Sequence, residues 1–325
     1  MYQNCPLYGM QSKKMLLQAL GVEDKRWQKH AFVQQNISPY IDGTTKKRLV
    51  EAPSSQLKVI QKRIKNALTR CDFPEYVFSG IKGRSYVENA RIHAGKLFVY
   101  KIDISAFFPN TARDKVYRFF LTELSTSPDV ANILTNLCTS DLSGKIRNKT
   151  EIDAFLREKG ITQINHLCTG ASPSPILSYL VNQTMFDEMK CLCDENGITM
   201  TVYVDDTIFS SEKAIPENVR SKILNIVQKH GYRVSMQKVK YYSPNDVKKI
   251  TGVVIRSVGT MDIPNKLRLK IKKRLISHKE TGAAEDLNKL AGCVVAARQI
   301  DNTAYPSVAE YIKKQRMIQK HKAEN

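Results

Sequence analysis

No apolar run in the 325 residues approaches the roughly 20 that a bilayer-spanning helix requires. The stretch from Met1 to Met10 lacks the charged-then-apolar layout of a secretion leader. Cysteine is sparse and unpatterned. The seven are an odd number scattered through a chain too large to need staples, and Cys191 and Cys193 stand one residue apart, which is not a zinc spacing. These absences lead to the expectation of a cytoplasmic protein with reduced thiols and no membrane partner. Acidic residues are also scarce: 31 Asp+Glu face 51 Lys+Arg, a formal net charge of +20. A surplus of that size points to a polyanionic partner, most simply nucleic acid. A membrane surface would ask for a strongly amphipathic terminal helix, and none is evident. Hydrophobic content of 42% and charged content of 25% are otherwise those of a globular protein, long enough for two or three subdomains.

Two places concentrate acid where the surroundings are apolar. Gly197 to Val202 and Thr207 to Ser210 flank Tyr203-Val204-Asp205-Asp206, which predicts two short strands joined by a tight turn. Alone, the tetrapeptide fits an ordinary Asp turn as well as a cation site. Upstream, Leu97 to Ile104 predicts an apolar strand carrying Asp103 near its end, followed by a turn with Phe107 and Phe108. An unpaired acid buried there would cost several kcal/mol, so it calls for a cation partner. A cap for the helix beginning near Thr111 is the alternative, but Asp103 lies too early for it. If a sheet brings the two strand ends together, three carboxylates face one point. They would bind two Mg²⁺ ions, the arrangement suited to in-line phosphoryl transfer.

Around these stretches the chain predicts a helical, basic lead-in over residues 1–40. A basic turn follows from Thr44, feeding a short strand that Pro53 ends. Apolar Leu57, Ile60, Ile64 and Leu68 predict an amphipathic helix with a basic outer face. Residues 113–137 read as helical, and residues 138–165 as a polar surface insertion with a short helix at Glu151 to Leu156. The small residues of His166 to Pro175 predict a loop that lets a substrate approach the backbone. Tyr232 to Tyr242 and Ile250 to Ile255 each read as a strand. Asn265 to Lys279 has seven basic residues and no acid, with Lys266, Lys270, Lys273 and Arg274 off the Leu267-Ile271-Leu275 stripe, a helix suited to a phosphate backbone. His93, with no second histidine nearby, reads by itself as a packed or capping residue.

The ordered set of motifs resembles a reverse transcriptase, and within that group the bacterial retron enzymes. Asp103 with Phe108 resembles motif A, Thr169-Gly170 with Ser174-Pro175 motif B, Tyr203 to Asp206 motif C, and Gly231 with Lys238 motif D. Asn89-Ala90-Arg91-Ile92-His93 and Ile250-Thr251-Gly252 are similar to the retron Asn-Ala-x-x-His and Val-Thr-Gly. The resemblance covers about residues 44–320. It departs at motif B, where Leu167-Cys168-Thr169-Gly170-Ala171-Ser172 stands for Leu-Pro-Gln-Gly-Ala-Pro. Thr169 there keeps a hydrogen-bond donor.

The resemblance implies an α+β right-hand polymerase: fingers at 41–95, a palm at 96–255 whose antiparallel sheet carries the catalytic Asp residues, and a helical thumb at 256–325. Asp103, Asp205, Asp206 and the backbone of Ile104 would hold two Mg²⁺, with Mn²⁺ as substitute. Lys238 would protonate the departing pyrophosphate. Arg48, Phe108, Thr169 and Gly170 would bind the dNTP, Phe108 excluding a 2′-hydroxyl. Tyr203 and Val204 would meet the primer end. Asn89, His93, Thr251 and Gly252 would grip structured RNA, and the basic helix would track the hybrid duplex. Implied partners are a cognate non-coding RNA and its branched DNA product (msDNA), an effector protein encoded nearby in anti-phage defence, and host RNase H. The rivals are a group II intron or diversity-generating enzyme, for the first of which no maturase or endonuclease region is visible, and a catalytically idle RNA-binding scaffold.

Overall fold

The computed structural model describes residues 1–44, 47–144 and 147–324, with side chains through Gln319. Thr45 and Lys46 of the basic turn, and Lys145 and Ile146 of the polar segment, lie outside the described residues. In chain order, α1 (Lys13–Ala19) and α2 (His30–Gln35) precede an antiparallel ribbon of β1 (Ile37–Asp42) and β2 (Arg48–Pro53). In α3 (Ser55–Leu68) the Ser54 hydroxyl caps the Leu57 N–H at 3.3 Å, and the predicted stripe Leu57, Ile60, Ile64 and Leu68 is buried. A reciprocal Ser85–Glu88 capping box opens α4 (Tyr86–Ile92), which leads to β3 (Phe98–Asp103).

Residues 113–137 do not form one helix. Helix α5 (Arg113–Arg118) ends in a π-turn, Ser125 takes a left-handed φ of 51°, and α6 (Pro128–Cys138) restarts with a Ser127 cap and proline in its first turn. The segment after it is packed into the fold, which its polar composition did not predict. Strand β4 (Thr139–Asp141) pairs antiparallel with β5 (Asn165–Leu167), and between them α7 (Lys149–Glu158) buries Ile152, Phe155 and Leu156 against Leu49, Leu142 and Ile161. The polar composition hid an apolar face at i, i+3 and i+4 spacing.

Helices α8 (Ser174–Val181) and α9 (Gln183–Glu195) lead to the predicted hairpin, β6 (Thr199–Tyr203) and β7 (Asp206–Ser211). After α10 (Glu217–Lys229) the expected strand from Tyr232 shrinks to β8 (Lys240–Tyr242), with Met236–Lys238 in a 3₁₀ turn. The stretch Ile250 to Ile255 is also not one strand. Strands β9 (Lys248–Ile250) and β10 (Val253–Ile255) pair antiparallel about Thr251 and Gly252, whose φ values of 42° and 89° make a two-residue hairpin turn. Strand β11 (Met261–Asp262) adds to β10, and three helices follow, α11 (Asn265–Thr281), α12 (Ala284–Ile300) and α13 (Pro306–Glu324).

The fold is thus mixed α and β with antiparallel sheets, including a four-stranded sheet in the order β6-β7-β3-β8. By compactness, residues 1–84, 101–207 and 216–239 form one unit, and residues 85–100, 208–215 and 240–325 a second. The second has its own core, in which Ile250, Val253 and Ile255 pack with Ile271, Leu287, Leu290 and Val294. No helix among the described residues is long and apolar enough to cross a membrane.

Candidate active site

Strand β3 delivers Asp103 at its last residue, and the β6–β7 hairpin delivers Asp205 in its turn and Asp206 at the first residue of β7. A backbone bond fixes the two ends together, the Ile104 N–H donating to the Asp205 carbonyl at 2.9 Å, and a second ties the β3 end to the segment before Lys238, the Ser235 N–H donating to the Asp103 carbonyl at 2.8 Å. Val204 is held at a left-handed φ of 59°, a conformation that branched side chains rarely take, while its N–H donates to the Ser79 hydroxyl at 2.5 Å. The turn is therefore clamped from a loop that sequence reading did not single out. Tyr203, beside it, is half-buried, and burial raises its phenol.

The three acids share one electrostatic corner. Asp103 is buried, with its carboxylate accepting from the Lys238 ammonium. Asp206 accepts from Lys101 Nζ at 2.8 Å, both groups largely covered. Asp205 has the least compensation. Burial first, then the charges of Asp103 and Asp206, push its carboxyl up to about 6, with Lys238 opposing. Among the described residues no three carboxylate, imidazole or thiolate groups form a ready-made metal cage. Mg²⁺ asks for less: one or two carboxylates, with water and substrate phosphates completing the shell. The oxygen donors and the destabilised Asp205 anion suit such an ion.

Asp205, alone of the three acids, lines a cleft of about 1040 Å³ whose walls also include Arg48, Phe108, Thr169 and Lys238. Ala106, at a φ of 46°, turns the chain so that the adjacent aromatics separate. Phe107 is buried edge-on against Tyr232 at 5.3 Å, while Phe108 is half-exposed and lines the cleft. Arg48 is exposed at the start of β2. The structure thus gathers Arg48, Phe108, Thr169, Val204, Asp205 and Lys238 on one cavity.

Thr169 and Gly170 are held against β2. The Thr169 N–H donates to Glu51 Oε2 at 2.8 Å, its hydroxyl lies 3.2 Å from the same oxygen, and that hydroxyl accepts from the Glu51 N–H at 3.1 Å. Its polar groups are thus engaged by β2. A Cβ on Gly170 would stand 2.1 Å from the Glu51 carbonyl oxygen, so the glycine admits the strand there. Glu51 is fully buried against His166, which is also buried, at 3.0 Å. Neither was singled out, although Leu49-Val50-Glu51-Ala52 carries the signal that marked Asp103, an acid within an apolar run.

The residues expected to grip RNA lie in the second unit and divide by burial. Asn89 and His93 have no exposed surface, which corrects the expectation that their side chains touch RNA directly. His93 Nδ1 lies 2.7 Å from the Ser210 hydroxyl, and burial drives its imidazole down to about 3, so it is neutral. Asn89 reaches the Thr251 hydroxyl at 3.5 Å, and Thr251 donates to the Tyr86 carbonyl at 2.7 Å. The motif thus braces the Thr251–Gly252 turn, where Gly252 is exposed. On α11, Lys266, Lys270 and Lys273 are exposed, but Arg274 is half-buried and paired with Asp286 at 2.9 Å, which removes it from a free phosphate-binding row.

The sequence pattern of the family described as reverse transcriptase (RNA-dependent DNA polymerase) matches residues 29–262. The retron Se72 reverse transcriptase of Salmonella heidelberg (strain 579083-10) is 26% identical over 250 residues, 74% of this chain and 59% of the relative. The retron Mx65 reverse transcriptase of Myxococcus xanthus is 27% identical over 226 residues, 69% of this chain and 51% of the relative. The retron Ec83 reverse transcriptase of Escherichia coli is 23% identical over 261 residues, 78% of this chain and 79% of the relative. The chain therefore spans 59% and 51% of the first two of these relatives. Because the family pattern runs through both strand ends that carry the acids and well beyond half of the sequence, the chain belongs to the reverse transcriptase family.

Proposed function

We propose that the chain is a retron-type RNA-directed DNA polymerase, copying a cognate structured non-coding RNA into branched RNA–DNA in the cytoplasm. The observation that carries this reading is the Asp205 carboxyl, raised to about 6 beside Asp103 and Asp206 at the edge of a cleft lined by Arg48 and Phe108. An enzyme that keeps a buried carboxylate short of positive charge at a cavity has a use for cations there. The retron relatives and the +20 charge support nucleic acid as substrate.

Within this reading Asp103, Asp205, Asp206 and the Ile104 backbone hold two divalent ions, Mg²⁺ with Mn²⁺ as substitute. Bound there, the ions would lower the pKa of the attacking hydroxyl and hold the departing pyrophosphate. Arg48 meets the triphosphate, Phe108 excludes a 2′-hydroxyl beneath the sugar, and Tyr203 and Val204 receive the primer end. Lys238, whose ammonium rests on Asp103, supplies a proton to the leaving group. The right-hand assignment follows, with fingers at 41–95, palm at 96–255 and thumb at 256–325. The exposed Gly252 turn and the lysines of α11 serve the RNA and hybrid. Retron biology adds an effector protein encoded nearby, a role in anti-phage defence and host RNase H to remove template.

The test is dNTP incorporation on a primed RNA template with Mg²⁺. Asp205→Asn should abolish it, and retained incorporation would sink the metal assignment. Sequencing the nucleic acid that co-purifies with the protein should return a DNA branched from a structured RNA. An unbranched or absent DNA would reject the retron assignment while leaving the polymerase.

A further inference from the structure

A buried ion pair of the first unit lies behind the cleft wall. Glu51 and His166 are separated by 115 residues in sequence and are both fully enclosed. His166 Nε2 lies 3.0 Å from Glu51 Oε1, and its Nδ1 lies 2.7 Å from the Gln163 carbonyl oxygen. The Gln163 carbonyl can only accept, so Nδ1 carries a proton; Glu51, held below its usual carboxylate range by His166, Thr169 and Ser140, is the ionised acceptor at Nε2, and with both nitrogens protonated the imidazole is a cation. The second carboxylate oxygen of Glu51 takes the Thr169 N–H and lies within reach of the Thr169 hydroxyl, and Ser140 also hydrogen-bonds this carboxylate. The charges facing His166 are Glu51 from β2 and Asp141 from β4, with the Glu51 field also reaching the Cys168 thiol.

The pair ties together the pieces that line the cavity. Glu51 lies three residues after Arg48 on β2. His166 bridges Ala112 in antiparallel fashion, and the Leu167 N–H donates to the Thr111 carbonyl at 2.9 Å, which anchors the turn carrying Phe108. Gly170 lies so close to β2 that no side chain fits between them. Neither charged group has surface to offer a substrate, so whatever they do to one passes through Thr169, Arg48 and Phe108.

We propose that the buried Glu51–His166 ion pair is a positioning element for the nucleotide cleft, locking the Thr169–Gly170 loop against β2 so that Arg48 and Phe108 are held in register. In this arrangement Thr169 is a structural contact of Glu51 and not a hydrogen-bond donor to the nucleotide. Selection of dNTPs then rests on the shape of the wall and the charge of Arg48. The inference rests on the polymerase reading, and the experiment separates the two.

Full-length protein labelled with ¹⁵N-histidine should give, at pH 7.5, one resonance pair with both imidazole nitrogens protonated, lost in His166→Gln. A neutral tautomer at His166 would overturn the ion pair whatever the activity. In steady-state incorporation on a primed RNA, Glu51→Gln should raise the KM for dNTP at least tenfold, with kcat lowered less than threefold and RNA affinity unchanged. Thr169→Val, which keeps the volume and the backbone N–H, should raise that KM about threefold and covers the case in which Glu51→Gln does not fold. Equal loss of kcat with KM unchanged, in whichever variant folds, would overturn the positioning role. A wild-type chain that shows the imidazolium but incorporates no dNTP overturns the polymerase reading and the nucleotide role with it, leaving the ion pair as the part that stood.

Discussion

Two clusters of buried charge lie in the same unit and are built on opposite principles. Around Asp205, like charges crowd together and burial raises the carboxyl to about 6. Around Glu51, burial also pushes the carboxyl up, but His166, Thr169 and Ser140 outweigh it and hold the group below its usual value. His166 answers in kind: burial lowers it, Glu51 overcomes that, and the imidazole ends above its usual value. In one cluster Asp205 has no ion pair among the described residues and faces a cavity, while the other cluster is satisfied and sealed. An uncompensated anion is useful only where a ligand arrives to complete it, and a compensated pair is useful where nothing should move.

The largest expected effect comes from removing the unsatisfied charge. Asp205→Asn should eliminate incorporation, and yet in metal-free buffer it should stabilise the fold. The folded carboxyl titrates near 6 against an ordinary 3.8, so the native state binds more protons across that window and wild-type stability falls as pH rises through it. Above pH 6 the variant should therefore be more stable by about 1–3 kcal/mol in urea melts, the upper end being the full pKa difference at about 1.4 kcal/mol per unit. A variant less stable than wild type at pH 8 without metal would end the account of that corner as frustrated.

Breaking the satisfied cluster should do the reverse. Glu51→Leu strands a buried imidazolium and should cost about 3–5 kcal/mol of stability by denaturant titration. The sign with pH also differs from that of Asp205. The His166 contribution is complete below its ordinary 6.5 and fades as pH rises through its raised folded value. The Glu51 contribution is complete above its ordinary 4.5 and fades as pH falls through its lowered one. The pair should therefore stabilise most between pH 4.5 and 6.5, so the wild-type advantage over Glu51→Leu should peak there. A difference flat across pH 4 to 9 would mean the pair is neutral.

Smaller effects should come from the exposed lysines of α11, Lys266, Lys270 and Lys273, which have no ion pair among the described residues. Changing Lys270 to Gln should leave stability within about 0.5 kcal/mol. It should weaken RNA binding on all sequences alike and reduce the salt slope by about one. The Arg274→Gln change should instead lower stability through the lost Asp286 partner, with little change in salt slope. Equal salt slopes for the two variants would erase that distinction.

Local patterns made much of this legible. The β6–β7 hairpin, the α3 stripe and the strand ending at Asp103 all follow from spacing within a dozen residues, where side-chain periodicity is set by backbone geometry. The reading failed where residues far apart meet. The stretch 138–165 looked polar because its apolar residues are few, yet Ile152, Phe155 and Leu156 find Leu49 from β2. Thr251 and Gly252 looked like strand interior because Ile250 and Val253 are β-formers, but the paired φ values above zero make them a turn.

The sequence by itself determined that acids would stand at strand ends amid a basic chain, because an ionised group in an apolar run requires a partner wherever it folds. It could not decide which acid would be left wanting. Asp103, Asp206 and Glu51 all found cations, from Lys238, Lys101 and His166, and only packing across more than a hundred residues chose those partners. The same packing enclosed Asn89 and His93, and pressed Gly170 against a strand. Burial and pairing depend on which distant segments meet, and that is a property of the assembled fold rather than of any stretch of chain.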